Sequence, residues 1–255
     1  MAQTRVKSDK EIEAMRESGR MLATVLSVLK HTIEPGMSTK DIANKAKSEL
    51  KKLGGKPAFY GYMGFSDVIC TSVNEQIVHG IPSKDKVLSK DDLVSLDFGV
   101  NYNGMITDSA FTVIVGSDKD PENIVDITER SLFAGVDTIK GGVAVGDISA
   151  AVEKVLSQAN LGIVRDLVGH GVGHELHEEP NIPNYGQAGT GPNLKAGMTI
   201  AVEPMSTLGK EAVVVENDGW TVRTRDNSLS AHFEHTILIT DNGYEILTAL
   251  PEDKD

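Results

Sequence analysis

From Ser8 onward, apolar residues recur at helical spacing. Ile12, Met15, Leu22, Val25, Leu26 and Leu29 share one face, and Ser8 with Glu11 fits a capping box. The stretch EPGMS breaks this pattern. Ser38 then starts a second helix carrying Ile42, Ala46 and Leu50, which Gly54-Gly55 ends. The densest basic stretch, Lys45 to Lys56, is expected on the solvated side of that helix. The pattern then turns to short β-rich runs: DVICTSV at 67–73, LVSLDFGV at 93–100 and MITDSAFTVIV at 105–115. NYNG between the last two predicts a hairpin turn.

The second half repeats this order. Asp120-Pro121 reads as an N-cap followed by a first-turn proline. Ile124, Ile127, Leu132, Val136 and Ile139 carry that helix to Gly141-Gly142, and Asp147 caps another with Ile148, Val152, Val155 and Ala159. GIVRDLV, MTIAVEPM at 198–205 and SAHFEHTILIT at 230–240 read as strands. Each half therefore reads helix, helix, strand, then a pair of strands. No residue-level repeat supports this, and no Pro/Ser-rich linker divides the chain. The expectation is one α+β domain over 1–255, with pseudo-symmetric halves at about 8–116 and 120–249.

Acids interrupt the apolar strands. Leu93, Ser95, Asp97 and Gly99 alternate to one face, so Asp97 points the way a core residue would. Asp108 sits in its hairpin partner, Glu203 in IAVEPM and Glu234 in AHFEHTIL. One such acid usually lies on a solvent face. Four at matching places of a repeated layout point elsewhere. Buried carboxylates are expensive and repel one another, and divalent cations are their cheapest partners. Charge balance suggests two ions. Oxygen-rich donors with few nitrogens suit Mn(II), Fe(II), Co(II) or Mg(II).

Histidines cluster in GHGVGHELHEEP, from Gly169 to Pro180. The helical zinc motif H-E-x-x-H needs histidines four apart, but His174 and His177 are three apart. His170 and His174 have the spacing, yet Gly171 and Gly173 disfavour a helix. A strand end running into a loop is expected. His170 and His79 occupy matching places in the two halves; one could ligate while the other meets substrate. His177 could reach the same centre from its loop. His31, His174, His232 and His235 are expected to be surface or internally satisfied histidines.

Composition narrows the field. The net charge of −12, from 37 acids and 25 bases, argues against a nucleic-acid-binding face. One cysteine, Cys70, excludes an internal disulfide and suits a reducing compartment. The polar N-terminus does not resemble a signal peptide, and no apolar run approaches ~20 residues. A cytoplasmic protein without membrane contact is expected.

SLDFGV, MITDSAFT, GHGVG, HEEP, AVEPM and HFEHT, taken together, resemble the type I methionine aminopeptidases. The resemblance spans nearly the whole chain. It implies the pita-bread (creatinase/aminopeptidase-like) fold, an antiparallel sheet covered by helices. It implies that Asp97, Asp108, His170, Glu203 and Glu234 hold two divalent ions from among Fe(II), Mn(II), Co(II) and Zn(II), with Asp108 and Glu234 bridging. His79 and His177 would face substrate, and Glu203 would also act as a base. Phe59, Tyr62, Phe65, Cys70, Leu176 and Trp220 would line a methionine pocket. In a chain only 5% aromatic, the Gly-interrupted KPAFYGYMGF also fits a pocket wall better than a core helix. The implied activity is removal of the initiator methionine from nascent polypeptides with a small second residue. Proximity to the ribosome and a monomeric state are further expectations. Two alternatives stand beside it: an X-Pro-type peptidase on the same fold, and a binding module without catalysis.

Overall fold

The computed structural model describes residues 2–249; Met1 and 250–255 of the expected domain lie outside the described residues. Helix α1 (Asp9–Thr32) starts at Ser8, whose backbone N–H donates to the Glu11 carboxylate at 2.7 Å. Helix α2 (Thr39–Leu53) starts at Ser38, where both halves of a capping box form with Asp41. It ends at Gly54, whose φ of 83° is a left-handed conformation that costs glycine little.

The two longest strands, Leu93–Tyr102 and Met105–Ile114, form a hairpin. Asn103 and Gly104 make its turn with φ of 51° and 84°, the pattern of an Asn-Gly hairpin turn. Strands Lys56–Pro57 and Cys70–Val73 share its other edge. Helix α1 packs on this hairpin and α2 on α1. A six-stranded sheet orders Ala2–Gln3, Glu178–Ile182, Gly169–Gly171, Thr199–Val202, His235–Ile239 and Tyr244–Ile246. Only its first pair is parallel. A paired bridge between Ala110 and Glu234 connects the hairpin to this sheet. The largest hydrophobic cluster joins Leu22, Leu26, Ile42, Leu96 and Phe98 from 8–116 with Leu132, Val136, Ile148, Ile200 and Ile237 from 120–249. No described helix is long and apolar enough to cross a membrane.

Several expected boundaries move. Pro121–Asn123 forms a separate 3-10 turn, because Glu122 and Asn123 both have positive φ. Helix α3 therefore begins at Ile124, and it ends at Val136 rather than Gly141 (Ile124–Val136). Asp120 still caps it, accepting the N–H groups of Val125 and Asp126 at 3.0 and 2.9 Å. Helix α4 (Val145–Gln158) begins two residues before Asp147, which reaches back to the Ala144 N–H at 3.2 Å. GIVRDLV is a strand only at Gly162–Ile163: its pairing with Met205–Thr207 stops after Val164, and Arg165 turns out to Glu211 and Tyr185.

The last two expected strands both break in the middle. MTIAVEPM splits into Thr199–Val202 and Met205–Thr207 around Glu203-Pro204. Proline has no N–H to continue a ladder. SAHFEHTILIT splits into Ser230–His232 and His235–Ile239 around Phe233-Glu234. Thr199–Val202 pairs with His235–Ile239 in the six-stranded sheet, and Met205–Thr207 pairs with Ser230–His232 in another. Glu203 and Glu234 stand at the point where each chain leaves one sheet for the other.

Candidate metal centre

Strand register brings the acids together. On the hairpin, Asp97 lies opposite Ala110 and Gly99 opposite Asp108, so Asp97 and Asp108 are diagonal neighbours on one face. Gly99 has a steric reason: a Cβ there would come within 2.6 Å of the Phe59 ring. The small Ala110 exchanges backbone hydrogen bonds with Glu234 at 2.8 and 3.2 Å, which places the Glu234 carboxylate beside Asp108. Asn184 donates to the Glu203 backbone carbonyl at 2.9 Å, fixing the other interrupted strand. His170, opposite Ala201, donates its Nδ1–H to the Gly171 carbonyl at 2.9 Å. That leaves Nε2, 3.5 Å from a Glu203 oxygen, as the free lone pair.

One cavity of about 170 Å³ is lined by all thirteen site residues named from the sequence. Asp97, Asp108, His170, Glu203 and Glu234 line it together with His79 and His177. Phe59, Tyr62, Phe65, Cys70, Leu176 and Trp220 form the apolar wall, with Phe65 edge-on to both Phe59 and Trp220. His79 and His177 approach from different segments; His177 packs edge-on to His170 at 4.4 Å and His79 edge-on to Trp220 at 6.2 Å. His79 itself has a φ of 61°, a conformation rare for a non-glycine residue.

The donor set suits a cation. Asp97 Oδ1, Asp108 Oδ1 and Glu234 Oε1 are buried without a hydrogen-bond partner. Burial and the neighbouring acids push Asp97, Glu203 and Glu234 well above the usual carboxylate range, and burial lifts Asp108 to about 7. Burial drives His79 down to about 4 and His170 to about 3, so both rings are neutral. Single ligand atoms of Asp108, His170 and Glu234 lie within 4.8 Å of one another, as do those of Glu203, His232 and Glu234. Neutral imidazole and clustered carboxylates are what a hard divalent ion takes.

Three features escaped the sequence. Met63 stands at the cavity mouth, 82% exposed with a φ of 47°. The Tyr62 hydroxyl lies 2.8 Å from His177 Nδ1. His232 is neither a surface nor a satisfied histidine: it is 1% exposed, neither ring nitrogen has a hydrogen-bond partner, and Nε2 lies 3.7 Å from Glu203. The other expectations differ less. His235 is buried and bonds Thr248, His174 bonds Glu11, and the exposed His31 bonds the Ser27 carbonyl.

The model of metallopeptidase family M24 matches residues 13–241. The methionine aminopeptidase of Clostridium acetobutylicum is 43% identical over 244 residues, 95% of this chain and 98% of the relative. Methionine aminopeptidase 1 of Bacillus subtilis is 45% identical over 243 residues, with the same coverage. Among solved structures, methionine aminopeptidase from Thermotoga maritima superposes with a TM-score of 0.94 at 46% identity, covering 96% of this chain and 99% of that one. Prolidase from Pyrococcus furiosus superposes at 0.77 with 25% identity, but the match covers 65% of that chain.

Proposed function

The chain belongs to metallopeptidase family M24 and has the pita-bread fold of its relatives, and from that premise we propose that it is a methionine aminopeptidase. It removes the first methionine from new polypeptides whose second residue is small. The observation that carries this reading is the one cavity lined both by the clustered acids and histidines and by an apolar, aromatic set of side chains.

In this reading Asp97, Asp108, His170, Glu203 and Glu234 would hold two divalent ions from among Fe(II), Mn(II), Co(II) and Zn(II). Bound there, such ions supply Lewis acidity and lower the pKa of water. The protein's own groups do the rest. Glu203 accepts a proton from the attacking water. The Tyr62 hydroxyl donates to His177 Nδ1, which leaves His177 with an Nε2–H to donate to the scissile carbonyl oxygen as charge builds on it. His79 faces the scissile nitrogen, and its neutral ring can pass a proton there. Phe59, Tyr62, Phe65, Cys70, Leu176 and Trp220 enclose the methionine side chain. The free α-amine meets the acids, so the enzyme acts only at chain ends. A substrate of this kind is a new polypeptide, which suits a monomer acting near ribosomes in the cytoplasm.

The test is a comparison of peptides on metal-loaded protein. Met-Ala-Ser should be cleaved and an X-Pro peptide left intact. Asp108→Ala should abolish turnover and lower bound metal, measured by elemental analysis. Cleavage of the X-Pro peptide in preference to Met-Ala-Ser would overturn the assignment.

A further inference from the structure

The Glu203 carboxylate has a histidine on each side. Oε1 lies 3.5 Å from His170 Nε2, and Oε2 lies 3.7 Å from His232 Nε2. His170 belongs to the proposed ligand set; nothing above gives His232 a task. Its ring is 1% exposed, and neither nitrogen has a hydrogen-bond partner. A buried polar ring without partners is uncommon in a folded protein and asks for a cause. Flexibility is not that cause. The His232 backbone N–H donates to Thr112 Oγ1 at 2.9 Å, Thr112 Oγ1 donates to the His232 carbonyl at 3.0 Å, and the residue pairs with Met205. The strand therefore aims the ring at Glu203.

A carboxylate that ligates through one oxygen leaves the other in need of a donor, and such donors set the ligand's orientation. Among the described residues no hydrogen bond reaches the Glu203 carboxylate; Asn184 takes only its backbone carbonyl. His232 Nε2–H faces the oxygen turned away from His170. The remaining gap closes by rotation about the soft terminal torsion of Glu203.

We propose that His232 is a positioning residue, donating Nε2–H to Glu203 Oε2 so that Oε1 is held toward the ligand set. This rests on the reading of Glu203 as ligand and base. It gives the ring a role that an apolar residue of similar size could not fill.

Two kinds of substitution separate this from its competitors. His232→Leu keeps an apolar filler and removes the donor, with His232→Met as a second filler should the first fail to fold. His232→Gln keeps an N–H donor. Calorimetric titration of metal-free protein with Co(II) reads the centre without reference to any substrate. The apolar variants should lose about 10–100-fold in kcat for Met-Ala-Ser or in Co(II) affinity. KM should stay near that of the parent, and the melting temperature of the metal-free protein should hold. His232→Gln should recover most of the loss. Apolar variants with unchanged kcat and Co(II) affinity would overturn the proposal and make His232 a filler. A Gln variant that loses Co(II) as badly as Leu, with an altered Co(II) visible spectrum, would also overturn it, because His232 would then be a ligand. If Co(II) affinity follows the expected order but no variant or parent cleaves Met-Ala-Ser, the positioning role stands and the substrate assignment falls.

Discussion

Tyr62 and His177 stand 115 positions apart, yet their side chains meet at 2.8 Å. The family resemblance, supported by an aromatic, Gly-interrupted loop, marks Tyr62 as an expected wall residue. Nothing local could disclose that its hydroxyl meets a ring nitrogen of a histidine from the other half. Removing that hydroxyl with Tyr62→Phe frees His177 Nδ1 and lets the ring lose its fixed donor. kcat should fall while KM and bound metal hold. Burial already keeps the His177 pKa below its ordinary value, so the ring is neutral at pH 7 and carries one N–H. His177→Ala removes that donor outright and should cost about 10²–10³ in kcat, the scale of deleting one preorganised donor. Steady-state kinetics with elemental analysis of both variants checks the order; a Tyr62→Phe loss equal to that of His177→Ala would show that the phenol itself contacts substrate. His232 is a different case. In a continuous strand His232 shares a face with Glu234 two positions on, so the alternation points to it, but the expectation treats it as a flanking neighbour turned away from the acid.

Elements were more legible than their ends. Helices α1 and α2 and the long hairpin follow from periodicity, capping residues and Asn-Gly, all of them local. The breaks at Glu203-Pro204 and Phe233-Glu234 depend on which sheet each half-strand joins, and that is a tertiary choice. The amino-terminal segment is another case. Lys7, read only as part of a polar leader, is buried against Glu178 at 3.2 Å with side-chain exposures of 0% and 2%. Glu178 Oε1 also accepts the backbone N–H groups of His174 and Glu175 at 2.8 and 3.1 Å, so it shapes the turn that carries His177. Both pKa values are lowered but favour opposite charge states: burial lowers Lys7 toward its neutral form, whereas at Glu178 burial is outweighed by hydrogen bonds and Lys7, which favour the carboxylate. The bonded geometry, with Lys7 also reaching Thr4 Oγ1 at 2.8 Å, decides for an ionised pair. Lys7→Met strands a buried carboxylate and should cost about 3–5 kcal/mol. Adding Glu178→Gln removes the stranded charge while keeping an acceptor for the turn, and should recover much of that loss. Urea unfolding of the two variants measures both; equal destabilisation would mean that the pair is not ionised.

At the scale of the molecule, the centre draws Asp97 and Asp108 from one stretch and His170, Glu203 and Glu234 from the other. We propose that 8–116 and 120–249 are related halves of one catalytic domain, which would explain the matching positions of these residues. Concentrating buried acids has a consequence for the metal-free protein. Asp108 is raised to about 7, and Asp97, Glu203 and Glu234 are raised well beyond their ordinary values. A raised acid binds its proton more tightly folded than unfolded. Its contribution is full below the unfolded pKa near 4 and is lost as pH rises through the folded value. The buried histidines act in the opposite sense and in another window. His79 and His235 are lowered to about 4, and His170 and His232 to about 3. Their contribution is full above the unfolded value near 6.5 and is lost only as pH falls below it. Between about pH 6.5 and 8 the histidines' opposing contribution fades as their unfolded-state titration near 6.5 completes, and the acids dominate. The melting temperature of chelator-treated protein should fall across that interval. Metal ions replace the protons as counter-charge, so the loaded protein should show a flatter profile and should release protons on loading. Calorimetric scans at matched ionic strength, with and without Co(II), measure the difference. A metal-free protein whose melting temperature holds steady or rises from pH 6.5 to 8 would mean that the four carboxylates are not strained together in the absence of a cation.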